Sequence, residues 1–160
     1  MKKLIVSAAA TIFFALGASD VSACSCLVDD NQSTSKKVRT SYNQATAVFY
    51  GEVTEIKPKP GAVEGSDPNL EPVTVKFKVY KFWKGAMKDE IIVTTAANSA
   101  MCGFNFETGR RYTVYANDAG NGLQTTICTR TAASDPDAKY LNKIKKPKEI
   151  LRRTKVKFNK

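Results

Sequence analysis

The sequence predicts a small, mainly β domain with a short helix towards each end, and three observations carry that reading. Five runs rich in β-branched and aromatic residues punctuate the chain, several of them alternating apolar with polar side chains. The intervening segments are rich in proline, glycine and charge, which suits exposed loops better than crossover helices. Four widely spaced cysteines in a chain of 160 residues point to covalent staples.

Taken in order, Ser33 or Ser35 supplies an N-cap for a short helix over Lys36 to Gln44, with Val38 and Tyr42 four apart on one face. Ala47 to Ile56 is the first β run, and its Gly51 marks a bulge or a close backbone approach. Lys57 to Pro72 carries four prolines and two glycines and reads as a long exposed loop. Val73 to Phe82 alternates apolar with basic residues, the pattern of a half-exposed antiparallel strand, and Trp83-Lys84-Gly85 reads as the turn that closes it. Phe82 and Trp83 read as core or strand-end packing. Glu90 to Thr95 is the third strand, and Ala96 to Met101 is a loop leading to Cys102-Gly103.

Arg111 to Ala116 is the fourth strand. Tyr112 and Tyr115 lie on its opposite faces, so at least one belongs to the core. Asn117 to Gly122 is a glycine-rich turn, and Leu123 to Cys128 is its hairpin partner. Ser134-Asp135-Pro136 starts a helix of about ten residues carrying Tyr140, Leu141 and Ile144, which Pro147 interrupts. Five strands, long loops and a terminal helix suit a five-stranded closed barrel of the OB type, although strand counting alone also admits a sandwich.

Ahead of the barrel lies a targeting signal. Lys2 and Lys3 form a positive start, Leu4 to Ala18 is apolar but short for a membrane span, and Val21-Ser22-Ala23 offers a cleavage site before Cys24. Met1 to Ala23 therefore reads as a signal peptide, leaving Cys24 at the mature N-terminus. Val21-Ser22-Ala23-Cys24 also resembles the lipobox of bacterial lipoproteins, although the polar Ser19-Asp20 intervenes and position 21 is Val. The two fates exclude each other, because a lipidated Cys24 has its thiol in a thioether and its amine acylated. The expected localisation is secreted, extracellular or periplasmic, with a lipid anchor at Cys24 as the alternative.

Charge and cysteines narrow the function classes. Lys and Arg outnumber Asp and Glu by 25 to 15, and much of the excess lies in Lys139 to Lys160. Such a tail suits contact with an anionic surface or simple solvation, and export argues against nucleic acid. All four cysteines, Cys24, Cys26, Cys102 and Cys128, follow the cleavage site, and an even count in an exported chain points to two disulfides. A Cys24–Cys26 ring would be strained, so the N-terminal pair reaches separately to Cys102 and Cys128. Each bridge closes a long loop, worth about 4 to 5 kcal/mol in the chain-entropy model. A four-cysteine zinc site is the alternative, although paired CxxC knuckles are missing and the chain has no histidine.

Several pieces, in order, resemble a known family. They are Cys24-Ser25-Cys26, Val48-Phe49-Tyr50-Gly51-Glu52-Val53, Phe82-Trp83-Lys84-Gly85, Cys102-Gly103, Gly109 to Ala116, and Thr125-Thr126-Ile127-Cys128. Together they look like the netrin-like (NTR) module, specifically the N-terminal domain of tissue inhibitors of metalloproteinases (TIMP) in a short bacterial form. The resemblance runs from Cys24 to about Arg130 and implies Cys24–Cys102 and Cys26–Cys128 bridges on a five-stranded barrel. It divides the chain into a signal peptide (1–23), a TIMP-like domain (24–134) and a basic C-terminal helix and tail (135–160).

The resemblance further implies that the neutral Cys24 amine and the Cys24 carbonyl chelate the catalytic zinc of a target metalloprotease. Ser25 would enter the specificity pocket, and Asn98, Ser99, Ala100 and Met101 would line the other side of the cleft. The inhibitor would need no metal or other cofactor of its own. The chain departs from the animal inhibitors, which carry more disulfides and a second domain, and in which proline commonly follows the CxC where Leu27 to Asp30 stands here. Structural roles compete for each site residue: a plain disulfide at Cys24, a small linker at Ser25, a core side chain at Met101.

An enzyme is not expected, because histidine, GxSxG and a P-loop are absent and the acidic residues show no paired spacing. The alternative function is a netrin-like binding module without inhibitory activity, membrane-associated only if Cys24 is lipidated.

Overall fold

Strand alternation sets the architecture. In β2 (Val73–Lys84), Val75, Phe77 and Val79 are buried while Thr74, Lys76, Lys78 and Tyr80 between them are half-exposed. The computed structural model describes residues 24–26, 31–59, 61, 67 and 70–150; the expected signal peptide and the end of the basic tail, 151–160, lie outside the described residues. Helix α1 (Thr34–Gln44) leads into β1 (Ala47–Pro58), then β2, β3 (Glu90–Thr95), a 3-10 turn at Ser99–Met101, β4 (Arg111–Asp118), β5 (Leu123–Gln124), β6 (Ala132–Ala133), α2 (Ala138–Ile144) and β7 (Lys148–Glu149).

The sheet closes on itself. Its order is β1-β2-β3-β5-β4, and β4 pairs back with β1 from Ala47↔Ala116 to Glu52↔Arg111. All of these pairings are antiparallel except β3–β5, which is parallel at Val93↔Leu123 and Thr94↔Gln124. The chain is thus a mainly β, five-stranded closed barrel with one early and one late helix. Closure selects the barrel over a sandwich and leaves no long free edge in the ring. Strand β1, which pairs with both β2 and β4, carries register shifts against β2 at Val48/Phe49, Tyr50/Gly51 and Val53/Glu55, the kind of irregularity that lets a strand curve round a barrel. Gly51 serves both expected purposes: it sits at a bulge, and a Cβ there would lie 2.9 Å from the Lys78 carbonyl oxygen.

Two cores result. Inside the barrel, Phe49 packs against Phe77 and Phe82, and Phe106 against Phe77 and Tyr112, with Val53, Val75, Val93 and Val114 between them. On the outer face of β1, β2 and β4, Val48, Trp83 and Tyr115 are covered by Val38 of α1 and Leu141 of α2. Both tyrosines of β4 are therefore core, one in each. Trp83 and Lys84 belong to β2 and not to a turn. Trp83 points outward under the helices, where its Nε1 donates to Asn142 Oδ1 at 2.8 Å, while Phe82 points inward. Lys84 Nζ donates to the carbonyls of Tyr42 and Asn43, both at 2.9 Å, which satisfies the C-terminal end of α1.

Several boundaries differ from expectation, with β1 running on to Pro58 and β4 to Asp118. Helix α1 begins at Thr34, because Ser33 takes the cap and accepts from the Lys36 amide. Strand β5 stops at Gln124 instead of Cys128, because Thr125 and Thr131 bond to Tyr115 of β4 through their hydroxyls. Helix α2 has seven residues and starts at Ala138. Ser134 is drawn into an isolated bridge with Tyr112 at a φ of 63°, so Ser134-Asp135-Pro136 leads into the helix without capping it. Trp83→Ala is expected to cost about 3 to 5 kcal/mol, since it empties the space beneath both helices; urea unfolding followed by circular dichroism measures it.

Candidate functional site

Cys24, Ser25 and Cys26 lie across two loops at one end of the barrel. Cys24 is bonded to Cys102 with Cα atoms 5.3 Å apart, and Cys26 to Cys128 with Cα atoms 5.2 Å apart. Between two half-buried cysteines, Ser25 faces solvent. The two anchoring loops are tied to each other as well, because the Ile127 amide donates to the Cys102 carbonyl at 3.0 Å.

The loop that carries Cys102 is built by local backbone chemistry. Asn98 caps the 3-10 turn, its Oδ1 accepting from the Met101 amide, and its carbonyl accepts from the Gly103 amide at 2.8 Å. Cys102 takes a left-handed φ of 64°, and the next position admits only glycine: a Cβ on Gly103 would sit 2.1 Å from the Ala96 oxygen. Phe104 then re-enters the core, its amide donating to the buried Thr95 hydroxyl at 2.9 Å. The outcome is a ridge in which Ser99, Ala100 and Met101 are exposed, Met101 by 43%, directly before the cysteine that holds Cys24.

The loop carrying Cys128 is held by buried hydroxyls. Thr125 Oγ1 donates to the Tyr115 carbonyl at 3.0 Å, lies 2.8 Å from the hydroxyls of Thr129 and Thr131, and is fully buried. Thr131 Oγ1 accepts from the Tyr115 amide at 3.0 Å. These bonds take the place of a longer ladder with β4, while on the other side the Thr125 amide still bonds to the Thr94 carbonyl of β3 at 3.0 Å. Beyond them, Arg130 makes a two-pronged pair with the buried Asp137 at 2.7 and 3.0 Å, and Asp137 also accepts from the Tyr115 hydroxyl at 2.9 Å. The hydrogen bond to Asp137 raises the Arg130 pKa, and burial followed by the Asp137 charge pushes the Tyr115 phenol far above its ordinary range.

Neither a family model nor a curated protein matches this sequence.

The Sγ atoms of Cys24, Cys26 and Cys128 lie within 4.8 Å of one another, a spacing that would suit a metal if they were thiolates. Bonded in pairs, they offer no thiolate. The structure thus gathers Cys24, Ser25, Cys26, Cys102 and Cys128 at one end of the barrel, with Asn98, Ser99, Ala100 and Met101 on the adjoining ridge. It adds supporting roles that the sequence does not reveal, those of the Gly103 backbone, the threonine cluster and the Arg130–Asp137–Tyr115 group. The dense run Thr125, Thr126, Thr129, Thr131 was their one visible signal. On the flank, Lys37, Thr40, Ser41 and Gln44 of α1 face Cys26 and Cys128 across a polar cleft of about 340 Å³.

Replacing Asp137 by Asn strands the half-buried Arg130 and is expected to destabilise by about 3 kcal/mol, read as a fall in the urea midpoint. The raised Tyr115 pKa has a definite sign. Below pH 10.0 the phenol is protonated in folded and unfolded chains alike and its contribution is whole; above it only the unfolded chain releases the proton, so stability falls. Tyr115→Phe should flatten this alkaline decline in unfolding curves recorded above pH 10.0.

Proposed function

We propose that the mature protein, beginning at Cys24, inhibits zinc metalloproteases by inserting its N-terminus into their catalytic cleft. The observation that carries this reading is the bond from Cys24 to Cys102, which ties the CxC segment to the loop whose Ser99, Ala100 and Met101 form an exposed ridge. A terminal cysteine brings an amine, a carbonyl and a thiol to one point. With the thiol in the disulfide, amine and carbonyl remain as a bidentate donor for a zinc that keeps an open coordination position. Ser25 then enters the pocket beside the metal, and Asn98 to Met101 contact the opposite wall. The two bridges fix this wedge beforehand, which lowers the ordering cost of association. The ordered resemblance to the TIMP-like, netrin-like module supports the same reading.

Export to an oxidising compartment follows from the same proposal and is supported by the two disulfides. Among the described residues no helix is long and apolar enough to cross a membrane. The lipobox-like Val21-Ser22-Ala23-Cys24 supports a second reading, a binding module anchored by lipid at Cys24. In that form Cys24 could not also bond to Cys102.

Mass spectrometry of the unreduced mature protein separates the two readings: a free Cys24 amine with both bridges supports the inhibitor, and a diacylglyceryl mass excludes it. Inhibition of zinc proteases should then fall by about a hundredfold or more when one alanine precedes Cys24, because the amine that donates to the metal is lost. Since only the neutral amine donates, inhibition should strengthen as pH rises through about 8. An alanine-extended protein that inhibits as well as the parent would remove zinc chelation from consideration.

A further inference from the structure

The ladder between β2 and β3 ends at Lys78↔Glu90, followed by one more bond from the Val79 amide to the Asp89 carbonyl at 2.9 Å. Beyond that pair β2 runs on to Lys84, the loop 85–89 crosses over, and β5 contributes only Leu123 and Gln124. The barrel is therefore open between β2 and β3 at this mouth, where β7 pairs instead with Lys81 and Phe82 of β2, and it holds a cavity of about 480 Å³. Its floor is apolar: Ala47, Phe82 and Ile91 are buried and Leu123 is half-buried. A Cβ built on Gly122, which lines the opening, would meet nothing within 4 Å.

Two observations indicate what the cavity takes. The apolar surface continues outward, with Ile92 on the lining 59% exposed and Met87 on the crossing loop 58% exposed. The rim also carries two charges of different standing. Glu90 is paired with Lys76 at 2.9 Å, whereas no ion pair of Lys88 occurs among the described residues. An apolar cleft of this volume, closed by one available cation, is the composition of a small-molecule site with a single orienting group. No residue of the Cys24 wedge lines it.

We propose that this barrel mouth binds a small amphipathic monocarboxylate, its alkyl or aryl body against Phe82, Ile91 and Leu123 and its carboxylate at Lys88. The site would operate independently of the wedge.

Titration of the 15N-labelled protein with decanoate, kept below its aggregation concentration, tests this. Saturable amide shifts should appear at Gly85 to Lys88, Ile91, Ile92 and Leu123. Ala86→Trp, which adds bulk from an exposed wall position, should weaken binding about tenfold or more. Lys88→Gln should weaken decanoate about threefold and leave decanol unchanged. Unchanged affinity in Ala86→Trp with a native spectrum, or shifts that do not saturate below millimolar decanoate, would overturn the site. So would a concentration-dependent dimer that buries Ile92 and Met87. Binding that appears only after removal of residues 151–160 would also overturn it, because the chain's own end would then be the occupant.

Discussion

Two sulfur–sulfur bonds connect residues 78 and 102 positions apart in sequence and land on neighbouring loops. The segment they hold, Cys24 to Cys26, has no strand or helix of its own and no hydrophobic side chain apart from the cysteines. Among the described residues its placement rests on the sulfurs and on the rigidity of the loops that receive them. That rigidity comes from unlike sources. One loop relies on a backbone turn that only glycine can complete, the other on threonine hydroxyls that reach a buried strand.

The distribution of polarity explains how so small a barrel supports these loops. Strands β1, β2 and β4 are buried on both faces where the helices cover them, so neighbouring residues such as Phe82 and Trp83 enter different cores. The outer core admits polar groups only in satisfied form: no buried side-chain nitrogen or oxygen among the described residues lacks a partner. Asp137 illustrates the cost avoided, since its buried charge meets both a guanidinium and a phenol. Because Arg130 lies two residues after Cys128, this pair also steadies the second anchor.

Most of the fold was legible in the sequence because its signals are local. Alternation marked β2, proline and glycine marked the loops, and the pair Ser33 and Ser35 marked α1 without deciding which of them caps it. The errors came where long-range contacts override local pattern. Trp83-Lys84-Gly85 looks like a turn when read alone; it continues as strand because helices from both ends of the chain cover Trp83. Leu123 to Cys128 has a strand-like composition, yet Thr125 exchanges the ladder for hydroxyl bonds to Tyr115. Ser134-Asp135-Pro136 has the chemistry of a cap, but pairing with Tyr112 captures Ser134 first. Strands β6 and β7, two residues each, carry no periodicity to detect. At the candidate site the cysteines were visible as residue types, and their partners were implied by resemblance. The steric requirement at Gly103 could not be read, because it depends on where the Ala96 carbonyl lies.

Strand β7 has a consequence for how the molecule is assembled. It pairs with β2 at Lys81↔Glu149 and Phe82↔Lys148, and the Ile150 amide reaches the Tyr80 carbonyl at 3.1 Å, on the stretch that β3 leaves uncovered. Until residue 150 has been made, the backbone of β2 from Tyr80 to Phe82 is an open hydrogen-bonding template available to any other chain. The cysteines of the first segment must likewise wait for Cys102 and Cys128. A chain emerging from its N-terminus therefore offers its sticky edge and its reactive thiols early, and keeps the edge open until residue 150 has followed. The nascent chain, more than the finished barrel, is the form that needs shielding from neighbours.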